Sequence, residues 1–349
     1  MAPTALYDRL STYLGDTGTS ALPLTDPPML TASAAVALSI LYTTLYVAPF
    51  YLSTTTRPSP TLSRDAPTVI RARIRLVNLS VILCALPTIY LLSHHGHLSS
   101  SQILHHLGFY PIFPLSTLKP LLLTALLFAG PLFERAIIDS GWRYWITGQD
   151  LYETLSSWIG YRNFIAGPTN EELFFRSLLL PLHMLIHPPP TPATLIFATP
   201  LYFGIAHIHH FYEFTLTHPF TPLIPALVRS LVQFGYTTVF GWYATFLFLR
   251  TGNVWGVVLV HSFCNWMGLP RVWGRVGGVV VEGGTVGGPV VRGKDDDGDM
   301  KRKDEEKEVG LNVGWTVMYY VSLVVGAFAW WKCLWWLTES EGALMRFGP

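Results

Sequence analysis

The chain has 349 residues, half of them hydrophobic and only 13% charged, against about a quarter charged in an ordinary soluble domain. So few charges cannot clothe a globular surface of this size, which excludes most soluble folds and leaves the membrane as the solvent. A formal net charge of +1 supplies no basic field for nucleic acid and no acidic excess for disorder.

Residues 1–30 carry Asp8, Arg9, Asp16, Asp26 and several prolines, and do not read as a signal peptide. The first uninterrupted apolar run, 31–52, has no charge and suffices for the roughly 20 residues that cross about 30 Å of hydrocarbon. A second run follows at 76–92, and a third at 114–133 is weakened by Lys119, Pro120 and Pro131. Beyond it, Leu151, Leu155, Trp158 and Ile159 recur at helical spacing beside Asp150, Glu153 and Arg162, the pattern of an amphipathic helix lying in the interface. Runs at 173–186, 193–211, 222–249, 254–269 and 313–337 bring the expected spans to eight. Several are short or contain Pro and His, which lipid tolerates only where neighbouring helices cover them. The expectation is an all-α, polytopic membrane bundle.

Residues 271–312 turn Gly/Val-rich and then densely charged, as a disordered loop does. The Asp295–Asp299 cluster lacks the alternating spacing and closing Glu of a calcium loop. Cys84, Cys264 and Cys333 all lie in apolar stretches without a CxxC, so neither a disulfide framework nor a zinc knuckle is indicated. The domain reading is an N-terminal segment 1–30, a membrane-embedded helical domain 31–270, the charged loop, a final span 313–337 and a tail 338–349.

Orientation follows from Lys/Arg bias. The loop 53–75 holds Arg57, Arg64, Arg71, Arg73 and Arg75 against only Asp65, whereas 93–113 has histidines but neither Lys nor Arg. The first loop is therefore expected in the cytosol. Eight crossings then bring the start of the fourth helix and the ends of the fifth and seventh to the cytosolic side.

Ionisable groups on such helices are functional candidates by default. Thr169 and Glu172 have capping-box spacing at the start of the fourth helix, and Glu172 and Arg176, four apart, share one face. Glu171 sits about 100° round the helix from Glu172, in a first turn whose dipole favours a carboxylate. It is the candidate base, the bland alternative being an interfacial charge. His207 ends an apolar run one turn deeper than Phe211 and needs a partner, while His209 and His210 read as interfacial. His261 and Asn265, also four apart, can donate to one shared oxygen or join two helices. Together, Glu171, His207, His261 and Asn265 offer a base, a proton relay and an oxyanion clamp, the equipment for amide hydrolysis by water.

These motifs, EExxxR at Glu171 to Arg176, FxxxH at Phe203 to His207 and HxxxN at His261 to Asn265, come in this order on successive apolar helices. With Arg162-Asn163, Gly167-Pro168 and the run 233–268, they resemble the Ras-converting, type II CAAX endoprotease family over roughly 160–270. The resemblance implies removal of the last three residues from prenylated Cys-a-a-X proteins, Ras-type small GTPases among them, at the endoplasmic reticulum membrane. It implies a site opening to the cytosolic leaflet, with membrane lipid as a further partner. It also implies that Glu171 and His207 activate water, that His261 and Asn265 bind the oxyanion, that Glu172 and Arg176 support them, and that no cofactor takes part. Two alternatives stay open: a zinc hydrolase using the same Glu and His residues, and a non-catalytic membrane scaffold or transporter.

Overall fold

A computed structural model describes residues 30–276, 312–345 and 347. Regular structure among them is helical, apart from one isolated bridge between Leu30 and Ile186. Helix α1 (Ala32–Val47) is capped by Thr31, whose hydroxyl accepts from the Ala34 amide at 3.2 Å. Helix α2 (Pro67–His94) has 28 residues, about 42 Å at 1.5 Å per residue. That exceeds the hydrocarbon thickness, so its first turns, with Arg71, Arg73 and Arg75, stand outside it.

Helix α3 (Pro114–Leu127) does not continue straight. At Phe128 the chain turns by 81° into residues 129–138, because the ring of Pro131 would meet the carbonyl four residues back in a straight helix. The long α9 (Leu223–Thr251) and α11 (Val313–Leu337) complete the set. Four described helices are long and apolar enough to cross a membrane, or five if the bent pair is one span. Their outer faces carry Ile40, Leu86, Val324 and Trp336, each more than half exposed, as lipid-facing side chains should be.

Between these lie shorter, interrupted helices. The central one opens at Ser157, whose hydroxyl accepts from Gly160 N at 2.9 Å. It passes through a π-helical turn at Arg162–Ala166, α4 (Gly167–Glu172), a second π-helical stretch at Leu173–Leu179 and α5 (Leu180–Met184). Thr169 is thus inside the helix and caps nothing, so the expected capping box with Glu172 does not form. The run 193–211 is divided into α6 (Pro192–Ala198), α7 (Pro200–Ala206) and the start of α8 (His209–Thr217). Helix α10 (Val254–Met267) follows α9 through Gly252, which is left-handed at φ 58°, and is capped by the Asn253 side chain.

Buried Phe174, Phe175, Leu178 and Leu179 place the central helix in the core. Helices α7 and α9 pack closely because a Cβ on Gly241 would lie 2.6 Å from Pro200 and one on Gly204 would lie 2.3 Å from Thr238. Of the charged loop, residues 277–311 fall outside the described residues. Its first six are anchored: the Arg271 amide donates to Tyr319 Oη at 2.9 Å and the Val276 amide to Thr316 at 3.1 Å, both on α11.

Candidate active site

Glu171 on α4, His207 just past the end of α7 and Asn265 in the last turn of α10 line one cavity of about 520 Å³. The cavity is otherwise apolar on its Tyr46, Ile70 and Val77 side, and it has a basic rim of Arg64, Arg73, Arg135 and Arg162. Arg64 and Arg73 come from the basic first loop and the start of α2, so that loop and the site share one end of the bundle.

The two adjacent glutamates have different surroundings. The side chain of Glu171 keeps 23% exposure, whereas that of Glu172 is 0% exposed. Glu172 is held between two cations or potential cations. Its carboxylate lies 3.1 Å from Arg176 Nε and 2.6 Å from His261 Nδ1. Arg176 is itself buried and lies 4.8 Å from the ring centre of Phe203, with Nη2 donating to the Gly241 carbonyl at 3.4 Å. The i, i+4 reading of Glu172 and Arg176 therefore holds, but the bond from Glu172 to His261 was not legible in the motif.

His261 bridges the pair: with Nδ1 on Glu172, its Nε2 stands 3.6 Å from Glu171. A carboxylate can only accept, so Nδ1 carries the proton donated to Glu172 and Nε2 is turned toward Glu171. His207 finds its partner within its own helix, where Nδ1 donates to the Phe203 carbonyl at 2.7 Å. That fixes the tautomer of the neutral ring and leaves Nε2 with its lone pair free to take a proton. Asn265 is exposed, and one of its two carboxamide N–H groups donates to the Asn163 carbonyl at 3.0 Å. The second is available to a ligand in the cavity. Asn163 belongs to the π-helical turn, a distortion that often marks functional positions.

The groups that would ligate zinc in the alternative reading are arranged differently from a metal cluster. Among the described residues, the His, Cys, Asp and Glu side chains gathered at ligand spacing are His209, His210 and Glu213, within 4.8 Å of one another. Glu213 already faces Arg73 at 2.8 Å and Arg64 at 3.3 Å. Burial raises its pKa, but the His210 hydrogen bond and the two guanidinium groups outweigh that and hold it well below the usual carboxylate range. Two fixed positive charges on the trio's carboxylate disfavour a divalent cation there. The three side chains instead tie α8 to the basic loop on the cavity rim.

A membrane bundle that gathers a cavity-facing carboxylate, a tautomer-fixed imidazole and a free carboxamide N–H around one pocket defines a membrane-embedded hydrolase. Comparison with known proteins gives the family. The family model described as type II CAAX prenyl endopeptidase, Rce1-like, matches residues 153–267, which contain all six residues singled out from the motifs. The chain is 39% identical over 241 residues to the probable CAAX prenyl protease 2 of Schizosaccharomyces pombe, covering 69% of this chain and 83% of that protein. It is 36% identical to CAAX prenyl protease 2 of Homo sapiens, covering 60% and 65%, and 31% identical to that of Arabidopsis thaliana, covering 75% and 89%. No solved structure matches. The chain belongs to the type II CAAX prenyl endopeptidase family.

Proposed function

We propose that this CAAX endopeptidase removes the -aaX tripeptide from prenylated proteins with a water molecule activated by Glu171 and His207. The observation that carries the assignment is the contrast between the glutamates: Glu171 alone reaches the cavity, while Glu172 is sealed against Arg176 and His261. A water between the Glu171 carboxylate and His207 Nε2 loses its proton as it attacks the carbonyl carbon of the prenylated cysteine. The free N–H of Asn265 donates to the developing oxyanion, and His261 joins it through Nε2–H when its ring, set between the Glu171 and Glu172 carboxylates, is protonated on both nitrogens. The proton then passes to the departing amine, so the products are a prenylcysteine carboxylate and a free tripeptide. Glu172 acts through His261 by fixing its ring, and Arg176 holds Glu172.

A prenyl chain anchored in the bilayer keeps its peptide end at the surface, where a cavity at the end of a bundle can receive both. The location of Arg64 and Arg73 on the cavity rim, together with the positive-inside bias, supports a site opening to the cytosolic leaflet. On this reading the short helices at 173–186, 193–211 and 254–269 also cross the bilayer, covered by their neighbours, for eight passes in the endoplasmic reticulum membrane. Ras-type GTPases are the expected substrates. A glycosylation acceptor placed before residue 31 should be modified and one near Arg64 should not, and the reverse pattern would invert the topology.

Turnover of a farnesylated Cys-a-a-X peptide tests the chemistry. Asn265→Ala should lower kcat by about 10²-fold or more with little change in KM, since an oxyanion donor acts in the transition state. A rise in KM at unchanged kcat would make Asn265 a substrate-binding group instead.

A further inference from the structure

Four arginines line the cavity, and three of them are paired with carboxylates. Arg64 and Arg73 face Glu213, and Arg162 Nη1 lies 2.7 Å from Asp65. Arg135 has no carboxylate within 4.0 Å among the described residues. Glu134 pairs with Arg271 at 3.4 Å, and Asp139 and Asp150 are near enough to be felt but not to pair. Arg135 is nonetheless firmly placed, on the π-helical turn Glu134–Ile138 beyond the 81° break. Its guanidinium lies 5.2 Å from the ring centre of Trp266, and Nη2 donates to the Met267 carbonyl at 3.3 Å. Nη1 is buried and has no hydrogen-bond partner.

A buried, unmade guanidinium N–H is costly and rare in a finished structure. Glu134, Asp139 and Asp150 act on Arg135 only at longer range, so this guanidinium lines the cavity without an anion in contact with it. The substrate proposed above brings one: three residues beyond the scissile bond, the peptide ends in a free carboxylate. Three extended residues span about 10 Å. Arg135 is held at Trp266 and Met267, the two residues after Asn265, and lines the same cavity as Asn265, the group placed on the scissile carbonyl.

We infer that Arg135 binds the terminal carboxylate of the tripeptide being removed, and so sets the cleavage point by measuring from the end of the chain. The inference rests on the peptidase reading and names the substrate feature that the site reads. A planar guanidinium suits this task because it can meet a carboxylate with two parallel N–H bonds. Nothing in the sequence motifs points to it, and it lies outside the 153–267 family match.

The test compares two farnesylated Cys-a-a-X peptides, one ending in the free acid and one in the primary amide, with purified full-length enzyme. Wild type should prefer the acid by about 10- to 100-fold in kcat/KM, the worth of one charge-assisted pair. Arg135→Gln should bring the ratio close to one, and Arg135→Lys should retain part of it. A peptide lengthened by one residue should be a poor substrate for wild type, and Arg135→Gln should discriminate less against it. Equal slowing of acid and amide by Arg135→Gln, with the ratio preserved, would make Arg135 an internal partner of Asp150 and overturn the inference. A wild type without acid preference would overturn it as well. Cleavage of neither peptide by wild type would overturn the peptidase reading itself, and this inference with it.

Discussion

Glu171→Ala should lose about 10²- to 10⁴-fold in kcat on a farnesylated Cys-a-a-X peptide while the protein still inserts, folds and binds the peptide, because general-base catalysis is worth that much. The structural cost should be small. Glu171 makes no short ion pair, standing 3.6 Å from His261, and part of its surface already faces the cavity. Glu171→Gln should be nearly as inactive, since the amide preserves shape but cannot take a proton. Activity within about tenfold of wild type in either variant, measured per folded molecule, would remove Glu171 from the role of base.

Glu172→Ala should fail for a different reason. Arg176 is 1% exposed and Glu172 is 0% exposed, so the substitution leaves a guanidinium buried without its counter-charge. Breaking such a pair costs about 3–5 kcal/mol, and a melting midpoint in detergent should fall accordingly. It also frees His261 Nδ1 from its 2.6 Å bond, so surviving protein should turn over slowly. The double variant Glu172→Leu with Arg176→Met should recover stability without recovering the ring orientation of His261. A single Glu172→Ala variant as stable as wild type would show that the buried pair contributes little.

The legible part of the site is the part carried by helical spacing. A spacing of four puts Glu172 and Arg176 on one face, and they pair. The adjacency of Glu171 and Glu172 places them on different faces, and one looks into the cavity while the other is sealed. The capping expectation fails because Thr169 and Glu172 have the right spacing for a box, yet the helix starts a dozen residues earlier and runs through Gly167-Pro168. The π-helical turn before Gly167 shifts the hydrogen-bond register, so the missing N–H of Pro168 removes no regular bond. Hydropathy locates apolar runs but not their breaks. The 81° bend at Phe128 and the division of 193–211 come from Pro131, Pro200 and the turn at His207, whose local geometry an averaged apolarity does not contain. The contact from Glu172 to His261 spans 89 residues of sequence and depends on how two helices rotate about their axes. Arg135 is invisible in the sequence for a similar reason, since only the bend carries it to the cavity wall.

The most direct test of water activation by Glu171 is a single turnover with enzyme in excess over a farnesylated Cys-a-a-X peptide in ¹⁸O-water. If Glu171 acts as a base, the new prenylcysteine carboxylate carries one solvent ¹⁸O in that first turnover. If the first turnover instead delivers an unlabelled oxygen to the product and leaves the label on the enzyme, Glu171 has attacked the carbonyl itself, and its role as the base that activates water is contradicted.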